Sequence, residues 1–149
     1  MNEFIKRTLT GAGFVIVMLL AIIWSPVSLY ILLLIVSSVS LYELYSIFKL
    51  REYKPLIAVG IISGIMIISL VFINRQEYVQ DKYLCLTLFP FILVWLSFFF
   101  VKRKEIVNSI IITTFGLIYI LLPLSLIFFL TQNTLTNGYD PSIFLGILF

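Results

Sequence analysis

The chain has 149 residues, 62% of them hydrophobic and only 11% charged, with a mean hydropathy of +1.17; a soluble domain could not carry that composition on its surface, so this is an integral membrane protein. A formal charge of +3, from ten Lys and Arg against seven Asp and Glu, is too slight and too scattered between apolar runs to form a nucleic-acid footprint. The single cysteine, Cys85, excludes an internal disulfide, and the lack of histidine removes the commonest general base and metal ligand.

Bilayer hydrocarbon is ~30 Å thick, which a helix of ~20 mostly apolar residues crosses. Five runs meet that measure: Leu9 to Trp24, Val27 to Phe48, Leu56 to Ile73, Tyr83 to Val101 and Ile106 to Leu130. Helices are the expected form, because lipid offers no partner to an open strand edge. The fold class is therefore all-α: one polytopic helical bundle over residues 1–149, with five full transmembrane helices and the start of a sixth.

The first run follows Lys6 and Arg7 but has no small-residue cleavage site after Trp24-Ser25-Pro26, so it reads as a retained helix rather than a signal peptide. Ser25 and Pro26 mark a tight turn into the second run, since the residue before a proline avoids the helical region.

The second run carries Ser37, Ser38 and Ser40, then the segment Leu41-Tyr-Glu43-Leu-Tyr-Ser-Ile-Phe-Lys49. Glu43 has no nearby partner in sequence. Lys49 lies six residues on, about 9 Å along a helix axis. An intramembrane carboxylate is a candidate functional group; here it either pairs with a neighbouring helix or faces a polar cavity.

The third run contains Gly60-Ile-Ile-Ser-Gly64, a small-xxx-small pattern that permits close helix contact. Pro90 and Pro123 predict kinks in the fourth and fifth runs. Trp24, Tyr30, Tyr53, Tyr78 and Tyr83 fall near run ends, where amphipathic rings favour the headgroup layer. Past a polar loop from Thr131, Asp140-Pro141 has the form of a helix start, a capping acid followed by proline at the first position. The run it opens ends at Phe149, and nine helical residues reach only ~13 Å. The expectation is a sixth span completed by further sequence.

Cation placement sets the topology. If each run crosses once, one side holds eight of the ten cations: Lys6 and Arg7, then Lys49, Arg51 and Lys54, then Lys102, Arg103 and Lys104. The positive-inside rule places that side, with the N-terminus, in the cytoplasm. Topology alone accounts for these basic loops, which can also attract anionic headgroups or a nucleotide. Glu43, Lys49, Arg51, Lys102 and Arg103 are the candidates for a polar cavity or headgroup site. The sequence shows no paired carboxylates in a span, no phosphate-cradling glycine loop and no nucleophile elbow, so no catalytic residue and no metal ligand is assigned.

Three stretches together resemble one family. Phe4-Ile-Lys-Arg7-Thr-Leu-Thr-Gly11-Ala-Gly-Phe14, Leu41-Tyr-Glu43-Leu-Tyr-Ser-Ile-Phe-Lys49-Leu and Gly116-Leu-Ile-Tyr119-Ile-Leu-Leu-Pro123-Leu-Ser-Leu126 are similar, in order and spacing, to the N-terminal half of bacterial phosphatidate cytidylyltransferases. The resemblance implies a multi-pass enzyme of the bacterial inner membrane that transfers CMP from CTP to phosphatidic acid, forming CDP-diacylglycerol for phospholipid synthesis. It implies Mg²⁺ for the full-length enzyme, with none held by this segment, and leaves a homo-oligomer open. The family's defining Asp- and His-containing motif comes late and has no counterpart here, so the 149 residues alone are expected to be inactive. The alternative is a small non-enzymatic membrane protein, such as a transporter subunit or assembly partner.

Overall fold

Ser25 ends one helix and begins the next. Its hydroxyl accepts a hydrogen bond from the Val27 N–H at 3.2 Å, with Pro26 at the first helical position, where no N–H is needed. The turn is closed by Ser28, whose hydroxyl lies 2.7 Å from the carbonyls of both Ala21 and Ser25.

The computed structural model describes residues 3–50, 53–76, 81–100, 106–133, 138–140, 142 and 145–146. In chain order these form α1 (Glu3–Trp24), α2 (Pro26–Leu50), α3 (Ile57–Gln76), a 3-10 segment (Asp81–Leu88), α4 (Phe89–Phe100) and α5 (Ile106–Leu130). A two-residue antiparallel pair, β1 (Gln132–Asn133) with β2 (Gly138–Tyr139), follows α5. The fold is all-helical apart from that pair, and α1, α2, α3 and α5 are each long and apolar enough to cross a membrane.

The fourth expected span is divided. Its first part is the 3-10 segment, and α4 restarts with Pro90 as its second residue. The proline thus begins a helix instead of kinking one, because the first turn has no intrahelical use for its N–H. Pro123 lies inside α5, which continues to Leu130. The Asp140 carboxylate accepts the Ser142 N–H at 2.9 Å, the capping bond expected of a helix start.

Helices α2, α3 and α5 pack on one another to form the core. On α2 the buried residues are Leu29, Leu33, Ser37, Leu41 and Tyr45, a strict i, i+4 stripe that meets Ile67, Ile68 and Val71 of α3 and Leu117 and Leu121 of α5. Towards the turn end, Tyr30 stacks on Phe72 with ring centroids 4.4 Å apart and shares a 2.9 Å hydrogen bond with Ser69. In contrast, α1 is seated through Met18 and Ile22, while Arg7 to Val17 are exposed on every side. Tyr139 fastens the far end of α1 by donating its hydroxyl to the Ile22 carbonyl, one of the last-turn carbonyls without a helical partner.

Candidate functional site at the basic end of the bundle

The end where α2 finishes and α3 and α5 begin is organised by two side chains. Tyr45 is 0% exposed. Its ring lies between Gly60 of α3 and Gly116 of α5, where an added Cβ would come within 2.6 Å of it from either side. The Tyr45 hydroxyl donates to the Thr113 carbonyl at 2.8 Å. The Thr113 hydroxyl donates to the Ser109 carbonyl at 2.7 Å and accepts the Leu56 N–H at 3.0 Å. One residue of α5 thereby holds the end of α2 and the chain segment leading into α3. Pro55 and Leu56 are buried there, so the last residues before α3 are seated against α5.

The small-xxx-small pattern of α3 is a real contact. Gly60 meets Tyr45, and a Cβ on Gly64 would lie 2.6 Å from Leu41 Cδ1. Sequence reasoning missed three partners in this arrangement: Tyr45, Thr113 and Gly116. The signal was present for Gly116, an isolated glycine inside an apolar span, which in a membrane marks close approach.

Lys49 and Lys54, both exposed, stand at the same end as the N-termini of α3 and α5. Helix N-termini carry a partial positive charge, but α2 and α4 end here with the opposite partial charge, so the positive character of this end rests on its lysines. Arg51, Lys102 and Arg103, the other basic candidates, lie outside the described residues. Glu43 is placed elsewhere. It stands two residues before Tyr45, about 200° away around the helix, and is exposed on the face opposite the core. Among the described residues it neither ties two helices together nor meets Lys49.

Between α4 and α5 an apolar groove of about 370 Å³ opens beside Trp95, Phe99 and Val107. A second, of about 250 Å³, lies among α3, α4 and α5 near Phe91 and Leu121. Neither brings ionisable groups together. Among the described residues no three of His, Cys, Asp and Glu are close enough to hold a metal ion. The described residues gather no donor set for the Mg²⁺ implied by the resemblance, and no chemical step is derived through it.

The three stretches resembling a family are now placed: the exposed half of α1, the last half of α2 around Tyr45, and the part of α5 that begins at Gly116. The sequence model of the cytidylyltransferase family matches residues 5–148, nearly the whole chain. The chain belongs to the cytidylyltransferase family. No curated protein matches it, and no solved structure does. Membership makes the function of nucleotidyltransferase type, and the long apolar helices are consistent with a multi-pass membrane protein. Among the described residues, exposed lysines, Lys49 and Lys54, stand at the end where α2 finishes and α3 and α5 begin.

Proposed function

We propose that this chain is the membrane-embedded N-terminal part of a CTP:phosphatidate cytidylyltransferase of the bacterial inner membrane. In that reaction a phosphate oxygen of phosphatidate attacks the α-phosphorus of CTP. The bond to pyrophosphate breaks, and CDP-diacylglycerol forms. Both substrates are anionic, and the lipid presents its phosphate at the bilayer surface. The observation that carries the reading is the seating of the Lys49–Lys54 connection beside the start of α5 through Thr113. It holds cations of that connection, Lys49 and Lys54, at one end of a family member's bundle.

In this proposal α1, α2, α3, the 3-10 segment with α4, and α5 are five crossings. At ~2.0 Å per residue for the 3-10 segment and ~1.5 Å for α4, the divided element reaches about 34 Å, enough to cross. The basic end faces the cytoplasm, where CTP is found. Each cation near the leaflet contributes about 1 kcal/mol to holding an anionic headgroup.

Reading the gene past the codon for Phe149 tests this. The expected result is a frame that continues into an Asp- and His-containing span, with a complete product that makes CDP-diacylglycerol from CTP and phosphatidate. The 149 residues alone should make none. A frame that closes at Phe149 would overturn the proposal, as would a complete product that uses CTP but ignores phosphatidate.

A further inference from the structure

Tyr119 lies on the exposed side of α5, thirteen residues after Ile106 and eleven before Leu130, or roughly 20 Å and 17 Å of helix from the two ends. In a membrane-spanning α5 that is the middle of the bilayer, far from the headgroup layers where tyrosines commonly anchor. The residue is 64% exposed, with its ring stacked on Phe115 at a centroid distance of 5.6 Å. Its hydroxyl has no hydrogen-bond partner among the described residues. Tyr30 and Tyr45, by contrast, bond to Ser69 and to the Thr113 carbonyl.

Pro123 adds a second demand at the same place. A proline has no N–H, so the carbonyl four residues earlier, that of Tyr119, lacks its α-helical donor. Pro123 is itself exposed, and residues four apart share a helix face, so the freed carbonyl opens towards the side that the phenol occupies. The Ser125 hydroxyl does not answer it, because it donates to the Leu122 carbonyl at 2.8 Å. One residue thus offers an acceptor and a hydroxyl at mid-depth, where a polar group left without a partner costs free energy. The rest of the face, Ile111, Phe115, Leu122 and Leu126, is apolar and exposed. A single polar point in an apolar stripe does not line an aqueous channel. It matches a contact between helices pinned by one hydrogen-bonding site.

We propose that a transmembrane helix of the enzyme's C-terminal part packs along this face of α5 and sets a hydroxyl or carboxamide side chain, Ser, Thr, Asn or Gln, against Tyr119. Such side chains both donate and accept, which the carbonyl and the phenol together require. Neither group of Tyr119 calls for a charge, and a charge at that depth costs more than it returns. The face continues from an interface already formed, since Gly116, three residues before Tyr119, lies against Leu44 and Tyr45 of α2. The inference rests on the reading of this chain as the N-terminal part of a longer enzyme.

The test uses the complete product of the gene with p-benzoylphenylalanine in place of Leu122, a position on the same face that leaves Tyr119 intact. Irradiation is expected to join position 122 to a helix of the C-terminal part within the same molecule, no more than one turn from a Ser, Thr, Asn or Gln. Tyr119→Phe, which keeps the ring, and replacement of that polar side chain by an apolar one should then give stability losses that are not additive, with a coupling of about threefold in the folding equilibrium. Adducts with lipid alone, with a second copy, or with a segment that is apolar for a turn on either side overturn the inference, as do additive losses. The phosphatidate reading is judged separately. A product that makes CDP-diacylglycerol but yields only lipid adducts keeps that reading and removes this contact, whereas a frame that closes at Phe149 removes both.

Discussion

Tyr45 of α2 donates its hydroxyl to the carbonyl of Thr113 of α5 across 2.8 Å, with its ring held between two glycines. Thr113 in turn accepts the Leu56 N–H, so the bond does more than join two helices. It fixes where α3 starts, and with it the Lys49–Lys54 connection that supplies cations to the electropositive end.

The two halves of this arrangement differ in cost. Tyr45→Phe removes a donor and leaves behind a carbonyl that is already within a helix, so the loss should be about 0.5–1.5 kcal/mol. Thr113→Val keeps the shape but strands the buried Leu56 N–H, which should cost about 1–3 kcal/mol. Thr113→Ser retains the hydroxyl and should lie nearest the parent chain. Thermal unfolding in detergent, with the three variants compared, checks the order; equal losses for Tyr45→Phe and Thr113→Val would contradict the role given to Leu56.

Glycine replacements should separate rigid from yielding neighbours. At Gly60 and Gly116 a Cβ meets the Tyr45 ring, which is blocked on both sides and cannot retreat. Gly60→Ala and Gly116→Ala should therefore each cost on the order of 1–3 kcal/mol. At Gly64 the clashing atom is the end of the Leu41 side chain, which can turn to another rotamer, so Gly64→Ala should cost less than either. The same unfolding measurement ranks them.

Much of this architecture was legible in the sequence, but unevenly. The Ser25-Pro26 turn, the Asp140 cap and the Gly60/Gly64 contact each rest on local chemistry that a short segment contains. Which face of α2 turns inward was not legible. In lipid both faces are apolar, so hydrophobic periodicity, which separates core from surface in water, says nothing about Leu41 versus Val39. Tyr45 is hidden for the same reason: on a helix apolar all round, its position does not say which way the ring faces. The division of the fourth span was hidden too, because an apolar run does not distinguish a 3-10 segment from an α-helix. Pro90 was the one sign that a helix restarts there.

Tyr139 gives a pH-dependent prediction at the turn end. Burial raises its phenol above the ordinary value of 10.0, since the charged form loses hydration. The folded state thus favours the neutral phenol, whose hydroxyl donates to the Ile22 carbonyl. The contribution is fully present below the unfolded pKa of about 10 and is lost as pH rises through the folded value. Stability should hold up to about pH 10 and fall beyond it, and Tyr139→Phe should be weaker at neutral pH yet show a smaller alkaline loss. Parallel slopes for the two proteins above pH 10 would show that this phenol does not carry the effect.

The basic end can be tested without turnover. Replacing an exposed lysine there with glutamine removes about 1 kcal/mol of attraction to an anionic headgroup, roughly a fivefold change in preference. In vesicles that mix phosphatidate with a zwitterionic lipid, quenching by brominated phosphatidate reports which tryptophan the anionic lipid gathers near. The two tryptophans report on different places: Trp24 ends α1 at the turn end, away from the lysines, whereas Trp95 belongs to α4. Lys49→Gln and Lys54→Gln should each lower the phosphatidate preference sensed by Trp95 while that sensed by Trp24 stays constant, with single-tryptophan variants separating the signals. Added salt should shrink the difference, because exposed charges are screened. If both tryptophans respond equally, or neither does, the lysines do not localise the anionic lipid.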